Sequence, residues 1–381
     1  MRPVLDGIVV ADFSRVLAGP LATMMLADLG ATVIKIERPH AGDDTRQWGP
    51  PWTAATSAYF EAANRSKLSV ELDLDVPGDL EVAANLAGSA DVVVENFRAG
   101  SLDARGLGYD AVAARNPGVV YCSISGFGPD SSLPGYDFLV QAVGGLMSIT
   151  GDAQEPPQKV GVALVDVLTS KDAVSGILAA LLERTTSGRG QHVRVNLLSS
   201  LLGSLANQAA TYLATGTSPG RLGNRHPSIA PYETVNCADG QLAVACGNDG
   251  QFRRLAEALG LPALPGDDRF RTNPARVANR AELVRELESV FGRADVDTWV
   301  GVLERAGVPA GRVGDVGSAF ELAARLGLQP RVPVGDDAMD QVRHPVTYSR
   351  TPVRDYRRPP RLGEHNALVR TTYATGAPRD H

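Results

Sequence analysis

Residues 8–13 form a short apolar run. A loop at 14–20 follows, and then Leu21, Met24, Met25 and Leu29 recur at helical spacing. Gly30 ends that helix, and residues 31–36 form a second apolar run. A strand–helix–strand unit of this size predicts the opening of a doubly wound parallel sheet. The alternation continues with a helix over 80–86, a strand over 91–94, a helix over 109–115 and a strand over 119–124. Val174, Ile177, Leu178, Leu181 and Leu182 mark one face of a further helix, with Gly188 as its stop. Residues 191–197 alternate like a strand, and a helical stretch runs on to about 214.

The Gly, Ser and Pro content of 216–224 predicts a linker, after which the texture changes. Residues 232–236, a turn at 238–240 and residues 241–246 predict a β-hairpin. Helical patterns follow over 251–259, 280–291 and 296–305. The fold class expected is therefore α/β: a Rossmann-like doubly wound parallel sheet as a large domain, plus a smaller α+β domain. The boundaries expected are 1–200 for the large domain, 201–224 for the linker and 225–325 for the small domain. Residues 326–381 are expected to return to the large domain. A length of 381 residues suits two such domains.

Composition narrows the function. Hydrophobic residues make up 44% and charged residues 21%, with a net charge of −6. No basic stripe points to nucleic acid, and no apolar stretch is long enough to span a membrane. The N-terminal residues lead straight into a strand without a signal-peptide pattern. Cys122, Cys237 and Cys246 are widely spaced, which suits a reduced, cytoplasmic setting. The histidines form no metal-binding motif, so no metal is expected.

The first strand-to-helix turn lacks the glycine fingerprint of a dinucleotide-binding enzyme. Glu37 stands where a ribose-binding acid would be, but Arg38 follows it at once and suits a phosphate better. Arg98 and Arg105 also lie near strand ends. No P-loop occurs, and no strand-to-helix turn carries a Gly-x-Ser-x-Gly elbow, the run at 216–220 lying in the linker. What remains is Asp166, just ahead of an amphipathic helix. The helix dipole and free backbone N–H groups there are expected to hold it ionised. An ionised, pre-positioned carboxylate can be a nucleophile; the same position equally suits a simple N-cap.

Many runs, in order, carry a resemblance. They include Arg15-Val-Leu-Ala-Gly-Pro20, Gly42-Asp-Asp-Thr-Arg46, Asn64-Arg-Ser-Lys67, Val94-Glu-Asn-Phe97, Ser125-Gly-Phe-Gly128 and Thr186-Ser-Gly-Arg-Gly-Gln191, along with Asp166 in its apolar setting. Through them the chain resembles the family III CoA-transferases, the CaiB/BaiF family, over essentially its full length. The resemblance implies that Asp166 is the nucleophile, that CoA and acyl-CoA are substrates, and that no cofactor is tightly bound. It implies that Val16, Ala18, Arg38, Leu72, Asn96, Phe97 and Arg98 lie along the CoA path. A basic residue of the family is offset here, since Ala104 takes its place and Arg105 follows. Leu17, Tyr59, Tyr136 and Asp137 match residues of the acyl pocket. The resemblance also implies a homodimer whose two chains are interlocked.

Two departures bear on the subclass. The racemase branch carries Gly-His-Asp where this chain reads Gly135-Tyr136-Asp137, and tyrosine is a poor base at neutral pH. The formyl/oxalyl branch carries a Gln where this chain has Leu17, and a glycine-rich loop in place of residues 223–232. Residues 223–232 and 135–137 look most like the succinyl-CoA–dicarboxylate branch, the glutarate type. A dicarboxylate's free end needs a cation or N–H donors; Arg46, Arg225 and His226 are the candidates. A 2-methylacyl-CoA racemase and a non-catalytic CoA-binding protein are the alternatives.

Overall fold

Six parallel strands lie in the order β3-β2-β1-β4-β5-β6 in the computed structural model, which describes residues 2–335 and 338–374. In chain order the first elements are β1 (Val9–Asp12), α1 (Ala18–Asp28), β2 (Thr32–Glu37), α2 (Ala58–Glu61) and β3 (Leu68–Glu71). Next come α3 (Pro77–Ser89), β4 (Val92–Glu95), α4 (Tyr109–Arg115), β5 (Val120–Ser125), α5 (Asp137–Val143) and α6 (Leu146–Ile149). The long α7 (Leu164–Ser187), β6 (His192–Asn196), α8 (Leu197–Ser204) and α9 (Ala206–Thr215) follow. The strand order reverses between β1 and β4, so the loops after these two strands flank a crevice at their carboxyl ends.

Both faces of this sheet are covered, which is why its strands read as apolar runs rather than as alternation. On one face Val10, Val33, Val94 and Cys122 pack with Leu26 of α1 and with Ile177 and Leu181 of α7. On the other face Ala11, Ile34, Val70, Val93 and Tyr121 pack with Leu86 of α3 and Val112 of α4. Gly188, at φ 70°, ends α7 in the left-handed conformation. The expected helical stretch beyond 197 is split at Leu205, because Ala206, the first residue of α9, takes a positive φ of 44°.

The chain divides into two compact units. The sheet, with residues 159–217 and the described residues beyond 328, makes the first. Its C-terminal part includes β10 (Arg331–Val332), β11 (Gln341–Val342) and α15 (Asn366–Thr372). There Asn366 accepts from the Glu71 N–H at 2.7 Å and so ties α15 to β3. Residues 147–158 and 218–328 make the second unit. It contains β7 (Tyr232–Asn236), β8 (Gln241–Ala245), α10 (Asp249–Ala258), α11 (Asn273–Ala278), α12 (Arg280–Phe291), α13 (Val296–Arg305), β9 (Ala310–Arg312) and α14 (Val316–Arg325). The hairpin β7–β8 is antiparallel as its pattern predicts, and β9 adds a third strand that its Ala-Gly-Arg sequence did not announce. The four-residue β3 was likewise unread. Among the described residues no helix is long and apolar enough to cross a membrane.

Candidate functional site

Asp166 sits in the first turn of α7, where Leu164 is the first helical residue and Ala163 is an N-cap without a side-chain bond. It is therefore not the cap of its own helix. That role falls to Asp137 at the start of α5. Its Oδ1 accepts the N–H of Val165 at 2.8 Å and the N–H of Asp166 at 3.3 Å. The other Asp137 oxygen accepts from Gln141 Nε2 at 2.7 Å, and Gln141 Oε1 takes the Val160 N–H at 2.9 Å. Asp137 reaches this position because β5 ends in a close backbone approach. A Cβ built on Gly126 would lie 2.4 Å from the Cα of Gly135, two residues before Asp137.

The consequence for Asp166 is electrostatic. Its residue is only 8% exposed. Among the described residues no donor bonds to its carboxylate, because the helix N–H groups already point at Asp137. Burial, then the charge of Asp137, pushes the Asp166 carboxyl up to about 7. This corrects the expectation of an acid held ionised by its helix: the dipole is answered by another carboxylate. Tyr59 of α2 shares the same neighbourhood. Burial and the charges of Asp166, Asp137 and Asp43 push its phenol up to about 12. Its ring meets Trp48 edge-on at 5.3 Å. An acid that is protonated about half the time near neutrality, beside another acid and a neutral phenol, is equipped to become a nucleophile once ionised.

The crevice at the ends of β1 and β4 is framed by buried charge. Lys35 Nζ donates to Asp43 at 2.8 Å and to the Ser14 carbonyl at 2.9 Å. Lys67 Nζ donates to Asp12 at 3.0 Å, the Pro20 carbonyl at 2.8 Å and Asn64 at 2.8 Å. Asn96, just after β4, accepts the Arg15 N–H at 2.9 Å and donates to the Arg15 carbonyl at 2.7 Å. The two loops at the crevice are thus stitched to each other. A cleft of about 190 Å³ opens alongside, lined by Phe97, Arg98, Tyr109, Tyr121 and His192.

Comparison with known proteins decides the family. The model of CoA-transferase family III matches residues 5–366. The chain belongs to that family. It is 44% identical to the succinate–glutarate CoA-transferase of Agrobacterium fabrum, over 97% of this chain and 95% of that one. It is 38% identical to the human succinyl-CoA:glutarate CoA-transferase, over 96% of this chain and 85% of that one. A crystal structure of a CaiB/BaiF family protein from Brucella suis superimposes with a TM-score of 0.88 at 42% identity, covering 98% of this chain and 100% of that one.

Within this family III CoA-transferase the residues singled out from sequence fall into three groups. Asp166, Asp137 and Tyr59 come together as described. Val16, Leu17 and Ala18 lie at the entry to α1, with Asn96 and Phe97 across the crevice and Arg38 at the end of β2. Tyr136 is exposed, and Arg38 pairs with Asp44 on the surface.

The remaining residues have partners of their own. Arg46 is a correction: its guanidinium is committed to the buried Glu37 at 2.7 and 2.8 Å and lies over Phe60, so it belongs to the frame. The same pairing disposes of Glu37 as a ribose ligand, since Ser69 Oγ takes the acid from the other side at 2.7 Å. Leu72 is packed in the core rather than along an open path. Arg105 pairs with Asp75 at 2.6 Å. In the second unit, Arg225 Nε donates to the Leu222 carbonyl at 2.9 Å and His226 Nδ1 accepts the Ser228 N–H at 3.1 Å. Sequence reading passed over Arg15 and the capping role of Asp137; the Gly-Tyr-Asp turn was the only signal for the latter.

The raised carboxyl makes a stability prediction. Above the ordinary carboxylate range the unfolded chain has released this proton, while the folded protein keeps it until about pH 7. Stability therefore falls as pH rises through that window. Asp166→Asn removes the titration. It is expected to melt above the wild type near pH 8, with the difference shrinking toward about pH 4. Equal melting temperatures near pH 8 by calorimetry would contradict the raised value.

Proposed function

We propose that this enzyme moves CoA from an acyl-CoA donor, with succinyl-CoA as the donor of choice, to a short dicarboxylate, with Asp166 as the nucleophile. The observation that carries this reading is the buried Asp166 carboxyl, free of donors among the described residues and flanked by Asp137 and Tyr59. The ionised carboxylate attacks the thioester carbonyl and expels CoA thiolate, forming a mixed anhydride. The thiolate attacks the aspartyl carbonyl and releases the donor acid, leaving an aspartyl-CoA thioester. The acceptor carboxylate attacks that thioester and expels CoA thiolate, giving a second anhydride. The thiolate then attacks the acceptor carbonyl, and Asp166 is regenerated. A carboxylate suits this cycle because it serves in turn as nucleophile and as leaving group.

Val16, Ala18, Arg38, Asn96, Phe97 and Arg98 are the residues we assign to the CoA path, and Leu17 and Tyr136 to the acyl pocket. The names of the Agrobacterium and human relatives support a dicarboxylate acceptor. Arg225 and His226 remain the candidates for its free carboxylate, while Arg46 is withdrawn. Racemisation would need a second base facing Asp166. Tyr59, with its phenol pushed up to about 12, is unsuited to that task. We also propose that the enzyme works as an interlocked homodimer in the cytoplasm. Exposed Leu182, Leu202, Tyr212 and Leu213 on α7, α8 and α9 support the dimer as apolar surface in need of a cover. The three free cysteines fit the compartment.

Three outcomes are expected. Asp166→Ala should fold and lose transfer, and hydroxylamine added with donor acyl-CoA should convert Asp166 of the wild type to its hydroxamate, read by peptide mass spectrometry. Near-normal turnover in Asp166→Ala would refute the mechanism. With succinyl-CoA as donor, succinate, glutarate, malate and itaconate should outperform butyrate and a branched monocarboxylate. A preference for monocarboxylates beyond about tenfold, or roughly 1.4 kcal/mol, would refute the acceptor class alone. Light scattering at micromolar concentration should give twice the chain mass; an active monomer would refute the dimer.

A further inference from the structure

The loop between β1 and α1 has its backbone fixed by side chains from three directions. Asp12 Oδ1 accepts the Ser14 N–H at 3.0 Å, and Lys35 Nζ donates to the Ser14 carbonyl at 2.9 Å. Asn96 takes both backbone groups of Arg15. Asp43 takes the Val16 N–H at 3.2 and 3.3 Å. Val16 lies at φ 70°, a region that a β-branched residue occupies only when its surroundings impose it. The turn is tight as well: a Cβ on Gly19 would stand 2.2 Å from the Cβ of Ser14.

What this fixation aims is the Arg15 side chain. Its guanidinium lies over the Phe97 ring at 4.7 Å and is half-buried. Three other arginines near the sheet's carboxyl ends have acids of their own: Arg46 has Glu37, Arg38 has Asp44 and Arg105 has Asp75, while Arg98 is exposed. Among the described residues the Arg15 side chain makes no hydrogen bond and no ion pair. Arg38 stands at the end of the neighbouring strand, and burial together with its like charge lowers the basicity of Arg15. Two guanidinium groups at the carboxyl ends of β1 and β2, with Asp43 and Asp44 acting on Arg15 only at longer range and no ion pair to it among the described residues, leave room for an anion from outside. Planar guanidinium forks match phosphate oxygens. The entry to α1 beside them has no side-chain cap, which favours negative charge at the same place.

We propose that Arg15 recognises a phosphate of the CoA nucleotide together with Arg38. This rests on the transferase reading above and adds to it a residue that carries charge specificity. The 3′-phosphate and the pyrophosphate share the chemistry, and different CoA fragments separate them.

The test is equilibrium binding of CoA, 3′-dephospho-CoA and pantetheine to the full-length protein, by calorimetry. Arg15→Ala should bind CoA roughly tenfold to a hundredfold more weakly than the wild type. Arg15→Lys should fall between them, and pantetheine, which has no phosphate, should not distinguish the three. A loss for CoA but not for 3′-dephospho-CoA assigns the 3′-phosphate; a loss for both assigns the pyrophosphate. Arg15→Gln keeps a stem over Phe97, guards against a variant that fails to fold, and should repeat the loss. Unchanged CoA affinity in Arg15→Ala and Arg15→Gln, an equal loss for pantetheine, or no CoA binding by the wild type overturns the proposal. Binding requires no turnover, so the two readings fail separately. A protein that binds CoA through Arg15 but transfers nothing refutes the transferase reading. One that transfers CoA with Arg15 indifferent refutes only this inference.

Discussion

The carboxylate of Asp137, set against the first backbone N–H groups of α7, is the interaction on which the site depends. It satisfies donors that a buried helix end cannot leave bare. It also takes from Asp166 the stabilisation that those donors would otherwise give. Because Gln141 holds the second Asp137 oxygen and also binds Val160, the segment leading into α7 is fixed along with the helix. Among the described residues Asp166 is left buried, with no donor to its carboxylate and next to a like charge. This is an unfavourable place for an ionised carboxylate and a favourable one for a carboxylate that must react.

The crevice beside it follows a different logic. Asp12, Lys35, Asp43 and Lys67 are buried, and each is satisfied by a charge of opposite sign and by polar neighbours. Such pairs add little net stability once desolvation is counted. What they contribute is geometry, since several of their remaining hydrogen bonds end on the Ser14 and Val16 backbone and on the Pro20 carbonyl. A loop built this way needs no rearrangement to meet a ligand, which lowers the entropy lost on binding.

Much of the fold was legible because its signals are local. Apolar runs at 8–13, 31–36, 91–94 and 119–124 became β1, β2, β4 and β5, and the helix over 109–115 is α4 residue for residue. The strands that escaped, β3, β9, β10 and β11, are two to four residues long and too short for a period to show, and the ten-residue α14 escaped with them. Asp166 was found because it stands beside a strong helical pattern. Its electrostatics were misread because the deciding partner is 28 residues from Val165 in the chain and arrives through a Gly–Gly approach. Arg46 and Glu37 misled for a similar reason. Each suits a ligand when read alone, and only the fold shows that they satisfy each other. The resemblance supplied the chemistry, while the pairing pattern, including the bare guanidinium of Arg15, required coordinates.

The central claim is that burial and Asp137 together set the charge of Asp166. The direct test is the pH dependence of kcat/KM for the acyl-CoA donor, which reports ionisations of the free enzyme. It should be measured for the wild type and for Asp137→Asn, which keeps an oxygen for the α7 cap but removes the charge. The wild-type value should rise to a plateau through a midpoint near 7, as the raised Asp166 carboxyl requires, and Asp137→Asn should move that midpoint down. A wild-type profile flat from about pH 5.5 to about pH 9, or a midpoint unmoved in Asp137→Asn, would contradict the account.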